Sequence, residues 1–294
     1  MFDQIAQRIP TQTICFEDAP TVQIAIKRLD MVHPRISGNK FFKLKYNFAE
    51  ALRLGKKCII SFGGAYSNHI AATAYAAHLH GFQSIGIIRG EELAHKALNS
   101  TLQTAQQYGM QFQFVSREKY RLKDTADFLH ALNLQYPDAY IIPEGGTNTL
   151  AIQGCSEILT DFDRQHYDVI CCAVGTGGTI SGLIEASASH QHILGFSALK
   201  GDFLQNDVAQ WTEKKNWKIM DDYCCGGYAR TSTELLQFMH FFENQYQIPL
   251  EQVYTAKILM GLSDLLKKDY FPTATRILVI HTGGLQGRNM PENT

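Results

Sequence analysis

Five short stretches of this chain carry residues able to do chemistry. The most distinctive is Gly175-Thr176-Gly177-Gly178-Thr179, set between a β-prone run and a helical one. Glycines let backbone N–H groups approach an anion closely, a helix start adds partial positive charge, and Thr176 and Thr179 add hydroxyls. That is the chemistry of a phosphate cradle. The loop lacks the lysine of a P-loop and the GxGxxG spacing of a dinucleotide site, which disfavours nucleoside triphosphates and NAD. A tight turn without a ligand is the plain alternative.

The second stretch, Ser37-Gly38-Asn39-Lys40, puts a lysine behind a Gly-Asn turn and beside Phe41 and Phe42. Apolar surroundings penalise the charged form of an amine, and a neutral amine is what Schiff-base formation needs. A surface lysine fits the same residues, and Lys43 and Lys45 close by read as surface lysines. The third stretch runs from Gly63-Gly64 through Ser67-Asn68-His69. Ser67 and Asn68 read either as helix caps or as donors around a carboxylate, and His69 as a packed or solvent-facing histidine. Val253-Tyr254-Thr255-Ala256-Lys257 and His281-Thr282-Gly283-Gly284 complete the set. A Gly-Gly turn after a strand marks close approach of backbone to a neighbour or a ring.

The elements that must position these stretches alternate. β-prone runs fall at 58–62, 84–88, 111–115, 140–142, 167–174, 193–197 and 276–280, each with helical spacing nearby. The helical runs cover 70–80, 93–108, 122–135, 148–162, 180–189, 231–246 and 255–268, with Gly81 and Gly109 as stops. Such alternation predicts βαβ units and a mostly parallel sheet. Two α/β lobes sharing one cleft follow, with ligands at the carboxyl ends of the strands.

Bulk properties agree. The 294 residues are 45% hydrophobic and 19% charged, which fits a folded enzyme rather than a disordered chain. A net charge of -1 gives no basic face for nucleic acid. Lys56-Lys57 and Lys214-Lys215 read as solvated pairs. The seven cysteines show no zinc spacing. Cys171-Cys172 and Cys224-Cys225 are adjacent pairs, whose side chains point apart on a strand, so reduced thiols are expected. Neither a membrane span nor a signal peptide is visible, and a cytoplasmic location is the default expectation.

Read in order, S-G-N-K, G-G-x-x-S-N, G-T-G-G-T, V-Y-T-x-K and H-T-G-G resemble the 1-aminocyclopropane-1-carboxylate deaminase / D-cysteine desulfhydrase family. Its members depend on pyridoxal 5'-phosphate (PLP) and have the tryptophan-synthase-β-like fold. The resemblance implies two open, twisted, mostly parallel-sheet domains with helices on both faces and PLP between them. Residues 1–44 and 147–294 would form the large PLP-binding domain and 45–146 the small one. It implies that Lys40 forms the Schiff base and moves protons, that Ser67 holds the substrate carboxylate, and that Asn68 lies beside the cofactor's phenolic oxygen. Gly175, Thr176, Gly177, Gly178 and Thr179 would hold the phosphate. Tyr254, and Tyr228 in Gly226-Gly227-Tyr228-Ala229, would stand near the substrate.

Thr255 and Thr282 fall where the deaminase branch resembles V-Y-E and H-L-G-G, and they match the desulfhydrase branch. A neutral hydroxyl at the ring nitrogen would make a weaker electron sink than a glutamate. β-Elimination from D-cysteine to pyruvate, ammonia and hydrogen sulfide is therefore expected. The alternatives are deamination of 1-aminocyclopropane-1-carboxylate and PLP binding without a reaction. Ala65-Tyr66 depart from the family's smaller lead-in and would narrow the pocket. The expected partners are a small amino acid and a second copy of the chain in a homodimer, with no nucleic acid or membrane.

Overall fold

The computed structural model describes residues 1–288. Its strands are β1 (Thr11–Ile14), β2 (Gln23–Arg28), β3 (Cys58–Gly63), β4 (Gln83–Arg89), β5 (Met110–Val115), β6 (Ala139–Ile142), β7 (Val169–Val174), β8 (His192–Ser197), β9 (Trp217–Met220) and β10 (Arg276–His281). Between them run α1 (Asn39–Arg53), α2 (Asn68–Leu79), α3 (Ser100–Gln107), α4 (Arg117–Arg121), α5 (Ala126–Gln135), α6 (Thr149–Ser156), α7 (Asp161–His166), α8 (Gly178–Ala186), α9 (Phe203–Ala209), α10 (Thr233–Tyr246) and α11 (Thr255–Lys267).

Two sheets result. One has the order β1-β2-β10-β7-β8-β9, parallel except for β1 against β2, and the other is β5-β4-β3-β6, parallel throughout. The expected α/β class with mostly parallel sheets is what the chain forms. Strands such as Val169–Val174 and Cys58–Gly63 are buried along their whole length, as parallel strands covered on both faces must be. Cys171 and Cys172 point into opposite cores, and all seven thiols are free. One apolar core joins the sheets by packing α1, α2, α6 and α8 between them. Among the described residues no helix is long and apolar enough to cross a membrane.

Several runs read as single helices are broken. The run at 148–162 stops at Ser156 and restarts at Asp161, where Thr160 and Asp163 cap each other's backbone in a capping box. Asn99 and Thr125 restart α3 and α5 in the same way by accepting backbone N–H bonds from Leu102 and Phe128. Periodicity counted through these caps because the apolar spacing happens to continue across them. The short strands β1, β2 and β9 and the helix α1 have no counterpart in the sequence reading. Helix α1 runs without interruption through residues 44 and 45.

The carboxyl ends of β3, β4, β6, β7 and β10 open on one cleft, so five strands each deliver a loop to the same place. Two of those loops lock together. Gly38 sits at φ +67°, and a side chain there would drive into the Thr282 carbonyl. That carbonyl instead accepts the Asn39 N–H at 3.2 Å. Only glycine permits this approach.

Candidate active site

The Gly-rich loop leaves β7 and enters α8 through Gly177, which has a left-handed φ of +79°. Thr179 Oγ1 accepts from Asn39 Nδ2 at 2.8 Å, which ties the loop to the first turn of α1. Thr176 Oγ1 lies 2.5 Å from Thr147 Oγ1. Beneath them is Lys43, whose Nζ donates to Gly145 O at 2.9 Å and Thr147 Oγ1 at 3.1 Å and lies 3.4 Å from Thr176 Oγ1. Lys43 is 3% exposed, so the expectation of a surface lysine is wrong. Three residues on from Lys40 in a helix, it shares that residue's face. The spacing was in the sequence, but it meant nothing until residues 39–53 were known to be helical. The turn Glu144-Gly145-Gly146 was also missed: a side chain on Gly145 would meet Thr176, and one on Gly146 would meet His69.

Lys214 is likewise no free surface group, for its Nζ donates to Ile184, Glu185 and Ser187 carbonyls at the end of α8.

Lys40 stands in the first turn of α1 and lines the cleft, with Nζ donating to Asn39 Oδ1 at 2.8 Å. Burial, followed by the charge on Lys43, brings its pKa down from 10.5 to about 7. A positive helix end also disfavours a cation there. An amine with that pKa is roughly three-quarters neutral at about pH 7.5, whereas an ordinary lysine is neutral in only about one molecule per thousand. Cofactor-free protein mixed with PLP should therefore form its imine at a rate that climbs from pH 6 to 8 and then levels. Stopped-flow absorbance across that range checks this. A rate still rising tenfold per pH unit above 8 would mean an ordinary amine.

Ser67 does cap α2, accepting from Ile70 N–H at 3.3 Å, and it also lines the cleft with its own proton free to donate. Asn68 Oδ1 is buried with no hydrogen-bond partner. His69 is 2% exposed, and its Nε2 is 2.8 Å from Ser61 Oγ. The Ser61 hydroxyl donates to Ile142 O, so His69 must give the proton in that contact and keep Nδ1 bare. That Nδ1 is buried and unpartnered too. Burial, with Lys40 and Lys43 beyond it, holds this imidazole well below its usual pKa, so it is neutral.

Across the cleft, Tyr254 lies against the Gly-rich loop, 3.3 Å from where a side chain on Gly175 would begin. Its ring meets that of Tyr228 edge-on at 6.2 Å between centroids. Burial raises both phenols, Tyr254 well above 10, so both keep their protons at neutral pH. Lys257 Nζ donates to the Cys224 and Gly227 carbonyls and so holds the loop that presents Tyr228.

Thr282 lines the cleft, whereas Thr255 does not. Thr255 is 1% exposed and its hydroxyl bonds the Glu251 backbone at 2.8 and 3.2 Å. The Glu251 carboxylate in turn accepts the N–H groups of Val253, Tyr254 and Thr255, capping α11. Thr255 is thus engaged in holding the helix start that carries Tyr254.

The cleft encloses about 730 Å³, within the range of cofactor sites. The sequence pattern that defines pyridoxal-phosphate dependent enzymes matches residues 10–283. The chain belongs to that family. A Thermotoga maritima protein named as a candidate 1-aminocyclopropane-1-carboxylate deaminase is 31% identical, over 90% of this chain and 89% of its own. The bifunctional D-cysteine desulfhydrase/1-aminocyclopropane-1-carboxylate deaminase of Arabidopsis thaliana, a mitochondrial protein, is 29% identical over 90% and 73%. The crystal structure of an ACC deaminase homologue superposes with a TM-score of 0.81 at 25% identity, covering 96% of this chain and 91% of that one. The protein is a PLP-dependent enzyme with relatives of the deaminase/desulfhydrase type.

The residues present suit the family's cofactor. An aldehyde would find a readily deprotonated amine at Lys40, and an anionic tail would find the α8 N-terminus flanked by Lys43 and Thr176. Buried Asn68 Oδ1 and His69 Nδ1, orphaned as the chain stands, lie at the same cleft.

Proposed function

We propose that the enzyme carries out β-elimination on a small amino acid, with D-cysteine as substrate and pyruvate, ammonia and hydrogen sulfide as products. When bound, PLP supplies the electron sink that makes an α-proton removable. The observation that supports the reading is an amine, Lys40, and two phenols, Tyr254 and Tyr228, lining one cleft. Lys40, its amine freed, takes the α-proton. Tyr254 and Tyr228 hold protons and serve as acids, which rules both out as the base. The Cβ–S bond breaks with its electron pair on sulfur, and a phenol supplies the proton with which it departs as hydrogen sulfide. The aminoacrylate left takes up water to give pyruvate and ammonia. Ser67 and the N–H groups at the start of α2 suit the substrate carboxylate.

The cleft's carboxylates support a weak sink. Glu251 is occupied by three backbone N–H groups, and Glu144 accepts from Tyr120 at 2.7 Å with Lys123 at 3.3 Å. These contacts make each a weaker partner for a ring nitrogen than a carboxylate with no other donors. The names of the relatives favour a second reading, opening of 1-aminocyclopropane-1-carboxylate to 2-oxobutyrate and ammonia. Holoenzyme incubated with each compound separates the two. We expect pyruvate and sulfide from D-cysteine, and release of 2-oxobutyrate alone would replace this reading with the second.

A further inference from the structure

Among the groups facing the cleft, Arg89 has no assigned task. It closes β4 one residue beyond the Ile88 that pairs with Gly63, so it stands beside the turn that leads to Ser67. Its Nη2 lies 3.6 Å from where a side chain on Gly64 would begin. The guanidinium rests 5.8 Å from the centroid of the Tyr120 ring, a cation–π contact that fixes its place without consuming its N–H donors. Among the described residues no carboxylate pairs with it. The nearby anion, Glu144, is taken by the Tyr120 hydroxyl and Lys123. The other cleft cations have work: Lys40 is the aldehyde-reactive amine, and Lys43 is bound under the phosphate loop.

We propose that Arg89 reads a second anionic group, so that an amino acid whose β-substituent carries a negative charge binds more tightly than its neutral isostere. This rests on the amino-acid reading of the cleft given above. Ser67 and the start of α2 suit the α-carboxylate, which every amino acid has. Arg89 stands along the same wall with five free donors in a planar fork, the shape that matches a carboxylate, sulfonate or phosphonate. A charge-assisted, bidentate pair is stronger than a neutral hydrogen bond. The proposal concerns recognition and leaves the bond-breaking steps unchanged.

Binding alone tests it. Each enantiomer of aspartate and of its neutral isostere asparagine is titrated into the holoenzyme, and the shift of the cofactor's absorbance is followed. One enantiomer of aspartate should bind roughly tenfold or more tightly than the matching asparagine. In Arg89→Gln that ratio should fall to about one, with asparagine affinity unchanged, while Arg89→Lys should keep part of it. Because Arg89 is exposed, these variants should fold. Equal affinities in the wild type, a preference that survives Arg89→Gln, or equal weakening of both ligands by that variant would each overturn the proposal. The last would assign Arg89 to the common α-carboxylate. A spectrum moved by neither amino acid overturns it as well. Pyruvate release from D-cysteine is read separately, so loss of the elimination reading leaves a distinct signature.

Discussion

Lys40→Ala should abolish the yellow imine chromophore and lower turnover by at least about 10⁴-fold if, as proposed, one amine both anchors the cofactor and moves the α-proton. Borohydride reduction should then fix no pyridoxyl adduct at position 40. The fold should survive, which makes the result informative. The folded-state pKa of Lys40 lies near 7 and the unfolded one near 10.5, so between those values the unfolded chain binds more protons and stability rises with pH. At and below about pH 7 the whole penalty for burying the amine is present, at most about 4–5 kcal/mol. Alanine relieves it and loses about 2 kcal/mol of buried methylenes. Cofactor-free Lys40→Ala should thus unfold at a temperature no lower than cofactor-free wild type at pH 7. Circular dichroism melts check the second half of this prediction and absorbance the first. Appreciable turnover with a retained chromophore would remove Lys40 from its role.

That Lys40 and the Gly-rich loop share one cleft was legible in the sequence, because a Gly-rich turn, a glycine-flanked lysine and two further glycine turns occur in one order. That order carried both the fold and the family. Strands such as β3 and β7 could be read as well, since a fully covered parallel strand is continuously apolar, whereas β2, equally long but ending in buried Lys27 and Arg28, could not. What escaped was set by contact rather than by pattern. Lys43 looked like its neighbour Lys45, yet one reaches under the Gly-rich loop while the other pairs with Asp3 and Glu157 at the surface. The difference lies in which face of α1 each occupies, and α1 itself went unread. Thr255 shows how local contacts escape a motif. Its position in V-Y-T pointed to the cofactor, but a threonine at a helix start can bond local backbone instead, and here it does. Glu251, four residues earlier, was passed over. A glutamate buried against three backbone N–H groups cannot be told from a surface one until the chain folds over it.

The Glu251 cap also bears on the second large effect. Its carboxylate grips the N–H of Tyr254 itself, so the phenol is held at a fixed point above the Gly175 turn. If that phenol protonates the departing group, Tyr254→Phe should lower kcat for D-cysteine by about 10²–10⁴-fold, the span of a general acid. The loss should depend on what leaves. Chloride needs no proton, thiolate gains from one, and hydroxide, whose conjugate acid is water with a pKa of about 15.7, cannot leave without one. Across β-chloroalanine, cysteine and serine the defect should therefore grow in that order, with KM and the imine chromophore little changed. Because burial keeps the Tyr254 proton in place beyond pH 10, kcat should show no tyrosine titration between about pH 6 and 9. A defect of equal size for all three substrates would mean that Tyr254 orients the substrate and supplies no proton. The acid would then have to be Tyr228, which is 44% exposed at the rim and held by the loop that Lys257 secures.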